Sequence, residues 1–104
     1  MDVKELTAAM NTFVASMGWY ESDSDFLQTP RNIAISLNLE AAEILEHFQW
    51  HEDANPHALA EELADVALYL LQLAYLVDID LEQAIKDKLS VNYKRFGKAL
   101  NEDK

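Results

Sequence analysis

The chain has 104 residues, half of them apolar, with two glycines, two prolines and no cysteine. A formal net charge of −11 excludes the basic face that phosphate backbones require of a nucleic-acid binder, and the missing cysteines exclude a disulfide framework or a thiolate metal site. The longest apolar run, Val66–Leu71, falls far short of the about 20 residues that span a bilayer. With no basic, apolar leader at its start, the chain is expected to be a single cytoplasmic domain over residues 1–104, without a membrane or nucleic acid as partner.

Scarce turn residues and the absence of apolar–polar alternation predict an all-α fold of four helices. Asp2, with Glu5 three residues on, opens the first, whose apolar positions run from Val3 to Met17 until Gly18 stops it. Residues 19–28, WYESDSDFLQ, form an acidic loop carrying three aromatics. Thr29-Pro30 pairs a cap with a proline at the first helical position and starts a helix expected to reach about Trp50. Asn55-Pro56 repeats the device for a third helix to about Val77, and Asp80 with Gln83 caps a fourth, ending near Gly97.

On the second helix, at about 100° per residue, Asn32, Ser36, Glu40, Glu43 and His47 share an arc about 80° wide, with Glu46 at its margin. Apolar residues flank that arc on both sides, and no Lys or Arg follows Arg31 in this helix. On the third helix Glu61, Glu62 and Asp65 form another acidic patch, followed by twelve residues with Gln72 as their single polar member. A helix apolar all round is a central one, which would put Asp65 at or near the core. Like charges crowded in a low-dielectric site raise one another's pKa. Two such stripes tolerate each other around a hard divalent cation held by oxygens, Mg2+ or Mn2+. The competing reading is that both faces simply meet water.

Glu40-Ala-Ala-Glu43, eighteen intervening residues, then Glu62-Leu-Ala-Asp65 resembles the signature of the MazG-like all-α nucleotide pyrophosphohydrolases. The stretches TPRNIAISLNLEAAEILEHFQW, EELADVALYLLQLA and KLSVNYKRF are similar to the subgroup that contains dCTP pyrophosphatase. The resemblance covers residues 26–97. It implies a four-helix-bundle-like MazG-type fold assembling as a homodimer or homotetramer. It also implies Mg2+-dependent hydrolysis of a nucleoside triphosphate to the monophosphate and pyrophosphate, with Glu40, Glu43, Glu62 and Asp65 as metal ligands. The chain departs from the subgroup where Leu27-Gln28-Thr29-Pro30 stands for a common Phe-His-x-Pro. Ser24 also occupies the place of a base-stacking Trp, which leaves Trp19, Tyr20 and Phe26 as substitutes for the stack.

Cleaving a phosphoanhydride is a matter of positioning and charge, and a carboxylate not fully used as a ligand can take the proton of the attacking water. Glu43 and Glu46 are the candidates, with Glu61 a poorer one. Two basic side chains, Lys4 and Arg31, precede residue 86 and six lie from Lys86 onward. On the fourth helix Lys88, Asn92 and Arg95 fall within about 60° of arc and are suited to binding phosphates, unless they form a solvated basic face at a helix C-terminus. Asn32, Trp50 and Tyr69 complete the expected substrate-binding set. His47 and His51, four apart, have zinc spacing without a third ligand and read as solvated. Two alternatives compete with the hydrolase. A ferritin-like di-iron bundle would need Glu-x-x-His twice, which is missing here. A non-catalytic acidic interaction module would scatter its acids over the surface.

Overall fold

In the structure, a computed structural model, residues 1–97 are described, so Lys98 and Lys104 of the basic segment lie outside the described residues. The local capping signals each do what their chemistry suggests. Asp2 Oδ1 accepts the Glu5 N–H at 2.8 Å and opens α1, Val3–Ser16. The Thr29 hydroxyl accepts the Asn32 N–H at 3.1 Å ahead of α2, Pro30–Glu46. Asn55 Oδ1 accepts from His57 and Ala58 ahead of α3, Pro56–Leu76. Asp80 Oδ1 accepts from Gln83 at 3.0 Å and opens α4, Leu81–Asn92. Each such cap is worth about 1 kcal/mol. Gly18, at φ +74°, supplies the left-handed residue that releases the chain from α1.

Two helix ends differ from the periodicity. The α2 helix stops at Glu46 rather than near Trp50. The N–H groups of His47, Phe48 and Gln49 bond carbonyls three residues back, on Ile44, Leu45 and Glu46, and that tighter winding closes the helix. His47 and His51 therefore do not share an α-helical face. After Asn92 the chain continues as a π-helical turn, Tyr93–Gly97. Its wider winding does not preserve the α-helical register that would align Arg95 with Lys88 and Asn92.

Packing is centred on α3, which contacts α2 along its length and α1 on another side. Met10, Val14 and Leu71 form the buried cluster, with Trp19 and Tyr20 of the following loop laid against it. Ile33 is buried at 2 % exposure, whereas Leu45, on the same apolar arc of α2, is 73 % exposed. Asp65 is exposed, not in the core, because the α3 face around it is left open by this single chain. The α4 helix has no buried residue, and Ile85, Leu89 and Phe96 each remain about half exposed. The radius of gyration, 17.4 Å, exceeds the about 13 Å of a compact chain of this length. The surface of 8308 Å² is about 2,400 Å² more than a compact monomer of this mass exposes. No strand occurs among the described residues, and none of their helices is long and apolar enough to cross a membrane.

Candidate functional site

The acidic arc of α2 and the acidic patch of α3 meet where the two helices pack. Carboxylate oxygens of Glu40, Glu62 and Asp65 all lie within 4.8 Å of one another. Glu40 Oε2 and Glu62 Oε2 are shielded from solvent and have no hydrogen-bond partner. A buried acceptor left without a donor costs about 1–3 kcal/mol. Two of them beside a third carboxylate form the oxygen-rich donor set that a hard divalent cation would satisfy. Burial, followed by the influence of Glu43, Glu62 and Asp65, raises the Glu40 carboxyl from its ordinary 4.5 to about 7. Glu43, one turn along α2, is exposed but close enough to Glu40 to contribute to that rise.

Further out, the acids have other surroundings. Glu46 is exposed at the last position of α2. Glu61 points away from the cluster and approaches His57 Nε2 at 3.5 Å on the solvent side. His47 turns inward, its Nε2 3.7 Å from Glu62 Oε1. Glu62 thus lies between an imidazole and the carboxylate cluster. The sequence carried a hint of this, because His47 sits on the acid arc.

A cleft of about 620 Å³ opens beside Glu40 and Asp65, with Tyr69, Trp19, Phe26 and Gln72 in its walls. Its aromatic side is ordered by edge-on contacts. Trp19 lies against Phe13 with centroids 5.7 Å apart and against Phe26 at 6.2 Å, both favourable geometries. Trp19 and Phe26, two of the three aromatics of the loop after α1, are thereby set in the wall of the cleft. Tyr69 is brought to the cluster. Trp50, 81 % exposed and beyond the end of α2, is not brought there within one chain. Asn32 spends its side-chain amide on the Leu27 carbonyl at 3.0 Å, tying the loop to the start of α2. Lys88, Asn92 and Arg95 are carried on α4 and the π-turn, which pack along neither α2 nor α3. Arg95 instead lies 5.1 Å from the Phe96 ring centroid.

Gln28 and Gln72 also line the cleft, and the helical pattern does not point to either as a site residue. Gln72, 2 % exposed, donates through Nε2 to Gln28 Oε1 at 2.7 Å and to the Tyr20 hydroxyl at 3.4 Å. A lone amide in an apolar run was the signal available for it. Gln28 is positioned only by the folding back of its loop.

Four acids spaced in pairs on two packed helices, three of them converging beside an aromatic cleft, fit one family in particular, and the MazG-like family model matches residues 35–103. The chain belongs to the MazG-like family. Among individual proteins, it is 37% identical over 86 residues to dCTP pyrophosphatase 1 of Rattus norvegicus and 36% identical to that of Homo sapiens. Each match covers 73% of this chain and 51% of the relative, so the chain spans about half the length of these curated relatives. Its fold is similar to the crystal structure of a pyrophosphatase from Archaeoglobus fulgidus DSM 4304. There the TM-score is 0.72 and the identity 32%, with 89% of this chain and 90% of the other covered.

Proposed function

We propose that the chain is a cytoplasmic, Mg2+-dependent nucleoside triphosphate pyrophosphohydrolase that releases a nucleoside monophosphate and pyrophosphate. The observation that carries this reading is the convergence of Glu40, Glu62 and Asp65 at the edge of an aromatic cleft. The names of the relatives, dCTP pyrophosphatase and pyrophosphatase, point the same way. An acidic interaction module, by contrast, calls for dispersed acids rather than two orphaned carboxylate oxygens in one place.

Glu40, Glu43, Glu62 and Asp65 are the residues to hold the cation, Mg2+ or Mn2+. When bound, it supplies charge neutralisation at the phosphates and activation of water. Glu43 is the better placed base, since it borders the cluster and its exposed carboxylate can take a proton from water arriving from solvent. Glu46 is the second candidate. Tyr69, Trp19 and Phe26 offer the faces against which a base and sugar stack.

Phosphate donors must come from elsewhere, because Lys88, Asn92 and Arg95 do not reach the cluster along their own chain. Surplus surface of about 2,400 Å² and half-exposed Ile85, Leu89 and Phe96 suit a homodimer or homotetramer. A second copy would then place its α4 over the acids, with Asn32 and Trp50 bordering the same joint site. The test is a panel of canonical and modified ribo- and deoxynucleoside triphosphates with Mg2+, quantifying both products. Pyrophosphate with monophosphate is expected. Stepwise orthophosphate release through a diphosphate would place the scissile bond elsewhere and overturn this arrangement.

A further inference from the structure

Three ion pairs are found among the described residues. His57–Glu61 and Lys86–Glu82 each lie four apart along one helix, with largely exposed side chains, and such pairs contribute little. His47–Glu62 is of another kind. It joins the end of α2 to α3, and its side chains are only 24 % and 20 % exposed. No Lys or Arg lies between Arg31 and Lys86, so along that stretch histidine is the only side chain able to carry positive charge. His47 stands seven residues after Glu40, within about 20° of it around the helix. It is the residue that caps α2, and its backbone N–H is bonded to the Ile44 and Leu45 carbonyls. The imidazole is thus carried on a fixed piece of backbone beside Glu62. A carboxylate oxygen can only accept, so Glu62 Oε1 favours a hydrogen on His47 Nε2 whether the ring is charged or neutral. At 3.7 Å the contact is electrostatic, longer than a full hydrogen bond. The second oxygen of the same carboxylate, Glu62 Oε2, is buried with no hydrogen-bond partner.

We infer that His47 is a positioning residue for the cation site: its Nε2–H holds Glu62 Oε1 and leaves Oε2 as the ligand oxygen. This rests on the cation reading of the acid cluster. His47 does not line the aromatic cleft, so it acts through Glu62 and not on a substrate there. A glutamate turns about three side-chain bonds, and fixing one of its oxygens removes freedom that metal binding would otherwise have to remove. Donors behind ligating carboxylates do this in metal sites generally, and their loss costs about 10–100-fold in metal affinity or activity. A histidine that only tied α2 to α3 would change the stability of the metal-free protein instead. A solvated one would change neither.

The test is calorimetric titration of the chelator-stripped full chain with Mn2+ at one fixed pH, alongside the melting temperature without metal. His47→Leu keeps an apolar body and removes the donor. It should weaken the Mn2+ dissociation constant by about 10-fold or more, with the metal-free melting temperature close to that of the wild type. Glutamine carries its amide nitrogen about where the imidazole carries Nε2, so His47→Gln should recover most of the affinity. His47→Asn, one carbon shorter, should not. Pyrophosphate release by His47→Leu at limiting Mg2+ should be restored by raising Mg2+ by the same factor. In a Glu62→Gln background His47→Leu should cause little further loss, because the two act as one unit. A His47→Leu protein with the wild-type Mn2+ constant overturns the inference and leaves the cation site standing. So do glutamine and asparagine variants that bind equally, or a loss that persists in full without the Glu62 carboxylate. A wild-type protein that binds no Mn2+ defeats the cation reading itself, and the inference with it.

Discussion

The α2–α3 pair and α4 are both amphipathic and both carry one sign of charge on a narrow stripe, yet they end in opposite situations. The acids of α2 and α3 meet inside one chain, with two carboxylate oxygens already shut off from water. The basic stripe of α4 meets nothing, and its apolar residues stay half exposed. A helix buries its apolar face against whatever neighbour offers a matching one. The α3 helix supplies that for α2 and α1, whereas α4 lays only its first residue, Leu81, against the core and leaves Ile85 and Leu89 half exposed. The difference teaches that one chain brings the acidic half of the proposed site together and leaves the basic half apart from it.

The largest effect should come from breaking the finished half. Asp65→Asn keeps the shape of the side chain and removes one charge from the cluster. Triphosphate hydrolysis is expected to fall by about 100-fold or more, about 2.7 kcal/mol of transition-state stabilisation. Thermal stability of the metal-free protein should hold or rise, since like-charge repulsion at Glu40 declines. A variant that unfolds yet keeps its specific activity would reassign Asp65 to structure.

Removing the cation attacks the same half from outside. The ion binds the folded arrangement and has little to hold it in the unfolded chain, so protein stripped with a chelator should melt at a lower temperature. Restoring Mg2+ or Mn2+ to about 100 times its dissociation constant should return about 2.7 kcal/mol. An unchanged melting point at millimolar metal would leave the orphaned oxygens of Glu40 and Glu62 without their explanation.

The unfinished half is probed by Lys88→Ala. It should weaken triphosphate binding relative to monophosphate by about 1–3 kcal/mol, the range for a charge-assisted bond. Combining it with Asp65→Asn sharpens the comparison. If acids and bases of one site come from different chains, each variant supplies what the other lacks. Random mixed dimers of the two should then regain about a quarter of the wild-type sites, as expected for a two-fold assembly. No recovery on co-expression would put both stripes on the same chain.

How far these two halves could be read from the sequence follows the range of the forces involved. The four N-caps, Asp2, Thr29, Asn55 and Asp80, were legible because each acts within three residues. The acid arc was legible because α-helical period alone collects Glu40 and Glu43, and Glu62 with Asp65. The end of α2 was not, since no glycine or proline lies between Glu46 and Asp53 and the tightened turn at His47–Gln49 has no composition signal. The π-turn that displaces Arg95 was equally silent. Gln28, Trp19 and Phe26 reach the cleft only through the course of residues 17–29, and the inward turn of His47 depends on where Glu62 arrives from another helix. The exposure of Asp65 reflects the surface left open on α3, which no single-helix pattern contains.

The smallest effect, and the one that isolates the acid cluster from everything around it, is the pH dependence of stability without metal. Glu40 titrates at about 7 in the folded chain against an ordinary 4.5, raised first by burial and then by its acidic neighbours. A carboxyl with a raised folded pKa binds a proton in the native state that the unfolded chain has already released. Between pH 4.5 and 7 the native state therefore carries more protons, and stability falls as pH rises. The contribution is fully present below about pH 4.5 and lost above about pH 7. Allowing for the solvent that reaches this partly exposed site, the loss should be about 1–2 kcal/mol. Metal reverses the sign, because coordination needs the ionised carboxylate and strengthens as protons leave. Chemical denaturation of chelator-treated protein at pH 5 and pH 7.5 should thus show a decline that Mg2+ cancels and Asp65→Asn reduces. The same decline in a Glu40→Gln protein would place its origin outside the cluster.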